Sequence, residues 1–109
     1  MMDINQVIFT GHICCKITDN MLRKTRGGRE VINIRIAVQK DNNPEEADYI
    51  NCSAFGINAR NIVKYSFEGQ DVSIEGRICS ENYIISSEEK HRMYVLINKI
   101  IFHGYKEDD

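Results

Sequence analysis

Apolar and polar residues alternate one by one along much of this chain, and this two-residue period strongly restricts how it can fold. The clearest run places its apolar residues two positions apart, at Ile32, Ile34, Ile36 and Val38. A second run, over residues 48–55, repeats the pattern. Because a β-strand points successive side chains to opposite faces, both runs predict strands with one face in a core and the other in solvent.

The spacing of apolar residues changes once, between residues 58 and 69. Here Ala59, Ile62 and Val63 recur at three- to four-residue intervals, which predicts a short amphipathic helix. Asn58 is expected to cap its start, and Gly69 is expected to end it.

Five strands are predicted around this helix, three before it and two after it. They cover residues 4–18, 32–38, 48–55, 72–83 and 93–102. The connections are expected at Gly27-Gly28, at a polar loop that contains Pro44, and at a polar loop over residues 86–90. Three strands, one helix and two strands, with a long curved first strand, predict an all-β protein with an OB-fold. This is a five-stranded Greek-key β-barrel with one short helix between strands three and four.

The length of 109 residues predicts one domain with a single core. Residues 1–105 are expected to form the OB-fold domain, and residues 106–109 a short acidic C-terminal end. No apolar run is long enough to span a bilayer, and the N-terminus lacks the pattern of a secretory signal. A cytoplasmic protein with no membrane contact is therefore expected.

The four cysteines and three histidines are not spaced as metal ligands or as nucleophile and base. The cysteines are interpreted as small buried strand residues that carry free thiols, as a reducing cytoplasm permits. We expect no enzymatic activity, no metal and no cofactor.

Basic residues concentrate in one part of a chain whose net charge is −2. Residues 16–40 contain seven lysines and arginines against two acidic residues, a local charge of +5, whereas residues 41–48 carry −4. This distribution predicts one basic track on an acidic body, which is the electrostatic requirement for binding phosphates.

Two aromatic residues lie on the polar side of the predicted third strand. Alternation assigns Ile50 and Cys52 to the core, so Tyr49 and Phe55 face outward, and Tyr83 falls near the tip of the last hairpin. Exposed rings beside a basic track are typical of surfaces that stack bases of a single strand. Tyr94, which lies in an otherwise apolar run, is predicted to belong to the core.

Three segments of the chain resemble the bacterial single-stranded DNA-binding proteins. They are INQVIFTG at residues 4–11, ADYINC at 47–52 with Phe55 and ARNIVKY at 59–65, and GQDVSIEGRI at 69–78. In order and spacing the resemblance covers about residues 4–103. It implies an OB-fold that binds and protects single-stranded DNA, without sequence preference, in replication, recombination and repair of a bacterium or phage.

The resemblance also assigns residues to the site. The stacking aromatics of the family match Tyr49, Phe55 and Tyr83, and its basic contacts match four positions, Arg23, Arg35, Lys64 and Arg77. It further implies a homotetramer, a nucleoid-associated location in the cytoplasm, and replication and repair proteins as partners.

The chain departs from the family pattern at three places. The loop around Asn42 and Asn43 lacks the aromatic residue that is common there, so one stacking platform is expected to be missing. His12 follows Gly11 where a permanently charged residue is usual, which predicts a contact that weakens as the imidazole loses its proton. The long tail with an acidic tip is not present, so no recruitment of partners through such a tip is expected.

Two other functions are compatible with the same strands. An OB-fold can bind RNA or act as a primosome accessory protein, because a fold does not determine its ligand. Alternatively, Tyr49 and Phe55 can form a contact between protein subunits in an assembly that binds no nucleic acid.

Overall fold

The computed structural model describes residues 2–104, which form six strands and one α-helix. The elements are β1 (Val7–Ile13), β2 (Arg23–Lys24), β3 (Glu30–Lys40), β4 (Asn43–Phe55), α1 (Ile57–Tyr65), β5 (Asp71–Ile85) and β6 (Glu88–Phe102). The five predicted strands correspond to β1, β3, β4, β5 and β6. The predicted acidic end, residues 106–109, lies outside the described residues.

The five long strands close into a barrel. Their order around the sheet is β1-β5-β6-β4-β3, and β1 then pairs with β3 through His12–Ala37 and Ile13–Ile36. The short strand β2 extends the sheet beyond β3. All pairs are antiparallel except β4 with β6, which run parallel and pair only at Cys52–Val95 and Ser53–Leu96. This order, with one helix between β4 and β5, confirms the predicted OB-fold.

Gly11 allows β1 to pair with two strands at once. Residues 7–12 of β1 pair with β5, and the last two residues of β1 pair with β3. A Cβ atom at Gly11 would lie 2.5 Å from the carbonyl oxygen of Ala37. Since such a contact is far inside van der Waals distance, a side chain here would separate β1 from β3.

The barrel core consists of the apolar residues that the two-residue period predicted. Ile32, Ile34 and Ile36 of β3 are buried, as are Cys52 and Ala54 of β4. Further buried residues are Ile13, Ala59, Ile62, Val72, Ile74, Val95 and Ile97. Ala59 and Ile62 are contributed by α1, so the apolar face of the helix packs against the barrel.

The predicted loop around Pro44 is instead part of a strand hairpin, because β4 begins at Asn43. Pairing shifts abruptly, from Gln39–Ala47 to Lys40–Asn43, so Pro44 and the two residues after it have no cross-strand partner. Proline has no backbone N–H to donate. Pro44 has no cross-strand partner at this irregularity, so no hydrogen bond between strands is lost there.

The helix is shorter than predicted and begins two residues earlier, at Ile57. Gly56 directly precedes it with a positive φ of 61°, so Asn58 lies inside the helix and is not its cap. The Asn58 side chain instead donates a hydrogen bond to the carbonyl oxygen of Asn98. At the other end, the helix stops at Tyr65, four residues before Gly69, which was expected to end it. The hydroxyl of the following residue, Ser66, donates to the carbonyl oxygen of Ile62.

The last hairpin extends further than predicted. β5 continues to Ile85 and β6 starts at Glu88, so the loop expected over residues 86–90 is a two-residue turn. Ser86 and Ser87 have positive φ angles of 52° and 66°. A two-residue turn with positive φ at both positions matches the right-handed twist of paired strands, so β5 and β6 stay paired up to the turn.

The prediction that all four cysteines are buried is wrong for three of them. Only Cys52 is buried, and Cys14, Cys15 and Cys79 are half-buried; all four are free thiols. Burial raises the pKa of the Cys52 thiol to about 12. This thiol therefore stays protonated near neutral pH and is not a nucleophile.

Within residues 2–104, no helix has the length and hydrophobicity needed to cross a bilayer.

Candidate nucleic-acid interface

One outer face of the barrel combines side chains from β3, β4, β5 and β6. The register pairs Arg35 with Asn51 and Asn33 with Ser53. These four polar residues point away from the buried pair between them, Ile34 and Cys52. On the adjoining strands the same face carries Arg92 and Tyr94 of β6. Their partners on β5 are Glu81 and Cys79. We call this surface the outer sheet face.

Tyr49 is the most exposed aromatic residue of the outer sheet face, with 58% of its surface accessible. The guanidinium carbon of Arg35 lies 4.5 Å from the centroid of its ring. Arg35 forms no ion pair with any described residue. The pair thus presents a flat ring and an uncompensated positive charge side by side.

Phe55 repeats this arrangement at the other end of β4. It is half-buried, and the guanidinium carbon of Arg29 lies 4.5 Å from its ring centroid. Phe55 pairs with Val31, which in turn pairs with Arg23 of β2. The register therefore places the predicted basic residue Arg23 two strands away from Phe55, about 10 Å across the sheet.

Arg92 links the strands of the outer sheet face, and the sequence reasoning did not identify it. Its guanidinium donates hydrogen bonds to Asn33 at 3.4 Å, to Ser53 at 3.3 Å and to the carboxylate of Glu81 at 3.2 Å. The Ser53 hydroxyl also donates to Asn33 at 2.6 Å. These bonds connect β3, β4, β5 and β6 and hold the centre of the face in one arrangement.

Tyr94 also belongs to this face, which corrects its prediction as a core residue. It is half-buried, and Arg92 lies over its ring at 4.9 Å. Partial burial, together with the neighbouring Cys79, raises the pKa of the Tyr94 phenol. The signal was present in the sequence, because Arg92 and Tyr94 lie two residues apart and out of phase with the buried Val95 and Ile97.

Tyr83 and Arg77 lie on the same side of β5 as Cys79 and Glu81. Tyr83 pairs with Lys90 and is 41% exposed, three residues before the turn. Arg77 pairs with Leu96 and is exposed. Tyr83 and Lys90 thus lie on the part of the hairpin that extends beyond the pairing of β6 with β4, whereas Arg77 lies beside that pairing.

Lys64 is the predicted residue that the structure does not place on the sheet. It lies on α1, and its ammonium group is 5.1 Å from the ring centroid of Tyr65. The structure therefore brings together Tyr49, Phe55, Tyr83, Arg23, Arg35 and Arg77 on outward-facing strand positions, with Lys64 apart from them. The roles of all seven stay predictions.

The acidic segment lies in the hairpin between β3 and β4. Lys40 forms ion pairs there with Glu46 at 3.9 Å and with Asp48 at 3.6 Å. Its charge is compensated, so it does not contribute to the basic track. No three His, Cys, Asp or Glu side chains converge as a metal site within residues 2–104.

A closed five-stranded Greek-key barrel with exposed rings and arginines on one sheet face is the architecture of OB-fold proteins that bind single-stranded nucleic acids. The model of the Single-strand binding protein family matches residues 4–103. The chain belongs to this family, which confirms the resemblance found in the sequence.

Several curated proteins are similar to the chain. A single-stranded DNA-binding protein of Lactiplantibacillus plantarum is 34% identical over 84% of this chain, which spans 46% of that protein. Single-stranded DNA-binding protein B of Bacillus subtilis is 33% identical, with 84% of this chain and 80% of that protein covered. The single-stranded DNA-binding protein of Onion yellows phytoplasma is 29% identical over 91% of this chain and 93% of its own length.

Proposed function

We propose that this protein binds and protects single-stranded DNA without sequence preference during replication, recombination and repair. Bases stack on Tyr49, Phe55 and Tyr83, and phosphates contact Arg23, Arg35, Arg77 and Lys64. The observation that carries the proposal is the outer sheet face, where the rings of Tyr49 and Phe55 adjoin Arg35 and Arg29. Neither of these two arginines forms an ion pair with a described residue. Membership of the Single-strand binding protein family supports it.

The chemistry of the face accounts for the absence of sequence preference. Every base has a π-face, so a flat ring accepts any of the four, and an arginine contacts a phosphate whatever base it carries. In the free protein Arg35 covers Tyr49 and Arg29 covers Phe55. We infer that these guanidinium groups move from the rings to phosphates, or stack on the bases themselves, when the strand binds. The protein then acts by binding alone and needs no catalytic group.

The salt dependence of binding tests the electrostatic part of this function. About five phosphate contacts, at a slope near −0.7 each in log affinity against log salt, predict roughly a hundredfold loss between about 50 and 200 mM salt. Arg35→Ala is expected to make the slope shallower by about 0.7, with little added loss at high salt. Fluorescence titration with a dT oligonucleotide measures both. A slope near zero would contradict phosphate contacts.

The same titration separates DNA binding from the alternatives. A matched U oligonucleotide that binds as tightly as dT would indicate an RNA-binding or primosome accessory protein. Failure of both oligonucleotides to quench tyrosine fluorescence would indicate that Tyr49 and Phe55 form a contact between protein subunits.

We also propose a homotetramer as the working form. Ile8 of β1 and Ile101 of β6 are exposed and line one shallow depression, which leaves an apolar surface for a second subunit to cover. Light scattering at micromolar concentration is expected to give four times the chain mass, and a monomer would contradict the proposal. Because the ligand is DNA, we place the protein at the nucleoid in the cytoplasm, with replication and repair proteins as partners.

A further inference from the structure

Two regions of opposite charge lie at the two ends of β3. The first consists of β2 and the turn that follows it, residues 23–29, which contain four basic residues and no acidic residue. All four are exposed, and none forms an ion pair with a described residue. They are Arg23, Lys24, Arg26 and Arg29. We call this region the basic turn.

The hairpin between β3 and β4 carries the opposite charge. Residues 40–48 contain four acidic residues and one lysine, a net charge of −3. The acidic residues are all exposed: Asp41, Glu45, Glu46 and Asp48. Lys40 forms ion pairs with only two of them, so most of the negative charge of the hairpin has no compensation there. We call this region the acidic hairpin.

The length of β3 separates the two regions. Lys24 pairs with Glu30, the first residue of β3, and Asn43 pairs with Lys40, the last. At about 3.3 Å per residue, a strand of 11 residues places its ends up to about 33 Å apart. The longest dimension of the protein is 44 Å. The acidic hairpin and the basic turn therefore cannot contact each other within one chain, and both are open to a second molecule.

The two proposed stacking residues of β4 lie between these ends. Phe55 pairs with Val31 near the basic turn, whereas Tyr49 pairs with Ala37 nearer the acidic hairpin. A DNA strand that stacks on both rings runs from one charged region toward the other. Its phosphates are attracted by the basic turn, but they are repelled beyond Tyr49. A strand that continues past the acidic hairpin therefore meets favourable charge again at the basic turn of another copy.

We propose that copies bound next to each other on one DNA strand contact head to tail, with the acidic hairpin of one against the basic turn of the next. This inference rests on the proposed function and adds to it an interface and its partner, a second copy of this chain. Charge complementarity favours this partner, because a region of charge −3 meets one of +4, whereas two like ends repel each other.

The geometry of such a contact suits a long strand. A contact between two different surfaces does not close on itself, so it continues from copy to copy for as long as the strand does. It uses neither Ile8 nor Ile101, the residues through which the homotetramer is proposed to form, so both contacts are compatible in one assembly.

Zero-length crosslinking tests the contact directly. A carbodiimide joins the Nζ amine of Lys24 to the carboxylate of Glu45 or Glu46 as an amide, and the reagent takes up the water that is released. Because β3 separates these residues in one chain, the link forms only between copies. It is expected on a long dT strand that holds many copies, and not on a dT oligonucleotide that holds one assembly. No link on the long strand, or equal links on both strands, would overturn the inference.

Charge variants provide a second measurement, the affinity per site on the long strand divided by the affinity for the short oligonucleotide. Glu45→Gln with Glu46→Gln is expected to lower this ratio about two- to tenfold, because each exposed ion pair contributes only modestly. Lys24→Gln with Arg26→Gln is expected to lower it by a similar factor. None of these four residues is assigned to DNA, and the division removes general effects of charge on affinity. Salt is expected to lower the ratio of the parent protein.

Glu88→Gln with Glu89→Gln is the matched control. It removes the same charge from exposed residues at the tip of the hairpin between β5 and β6, and it is expected to leave the ratio unchanged. If this control lowers the ratio as much as the change in the acidic hairpin does, the overall charge of the protein sets the ratio and the inference is wrong.

The outcomes separate this inference from the proposed function. If the parent binds the short oligonucleotide, but neither pair of substitutions changes the ratio, the protein binds DNA and its copies do not contact head to tail. If the parent binds neither the short oligonucleotide nor the long strand, the proposed function itself fails.

Discussion

Tyr49→Ala is expected to weaken binding of a dT oligonucleotide by roughly 5- to 150-fold, because stacking of a base on an aromatic ring contributes about 1–3 kcal/mol. Phe55→Ala and Tyr83→Ala are expected to have effects of the same order. Stacking depends little on salt, so the slope of log affinity against log salt should stay nearly that of the parent. Fluorescence titration of each variant across a salt range measures affinity and slope together.

Conservative variants serve as the matched controls. Tyr49→Phe and Tyr83→Phe keep the ring and are expected to bind like the parent. If these tyrosines contacted DNA only through their hydroxyl groups, both variants would instead bind more weakly. Phe55 is half-buried, so Phe55→Leu preserves its packing while it removes the ring. If the three alanine variants retain the fold and the parent's affinity, these residues are not the stacking platforms.

Gly76→Val is expected to lower the free energy of unfolding by at least about 3 kcal/mol or to prevent folding. A Cβ at Gly76 would collide with the carbonyl oxygen of Leu96 on the paired strand. Backbone cannot yield as a flexible side chain does, so β5 and β6 would have to separate at the irregularity between Glu75 and Gly76. Urea denaturation at one fixed protein concentration measures the effect.

Gly27→Ala is the control for this substitution. No atom lies within 4 Å of a Cβ built at Gly27, and its φ is not in the left-handed region. The variant is expected to differ from the parent by less than about 1 kcal/mol, and by restricting the unfolded chain it can stabilise the fold slightly. If Gly76→Val were as stable as Gly27→Ala, the close approach of β5 and β6 would not explain the glycine at position 76.

The predictions that depend on local periodicity are the ones the structure confirmed. The alternation of Ile32, Ile34 and Ile36 placed these residues in the core because side-chain direction in a strand depends only on sequence position. The outward direction of Tyr49 and Phe55 followed from the same rule. Boundaries were less accurate: Pro44 and Asn58 have local preferences for a loop and a helix cap, and pairing of β3 with β4 and the turn at Gly56 overrode them.

Features that depend on how strands meet could not be predicted in the same way. Arg92 acquires its role because β6 runs beside β4 and brings its guanidinium within hydrogen-bond distance of Asn33 and Ser53, which are 59 and 39 residues away in sequence. Tyr94 is a different case, because alternation along β6 turns it outward and this signal was present in the sequence. Its apolar neighbours alone led to the prediction of burial. The cysteines show the same limit, since their apolar character predicted burial and only Cys52 is buried.

The sequence by itself determined the fold class, the core of the barrel and the outward direction of the two rings of β4. These features follow from alternation and spacing within single segments, which do not depend on how the strands meet. Only the tertiary structure decided that arginines cover these rings, that Arg92 joins four strands, and that β4 and β6 pair only at Cys52–Val95 and Ser53–Leu96. The physical reason is that these contacts join residues on different strands, and the register of β3 with β4 and the approach of β6 to β4 set their distances.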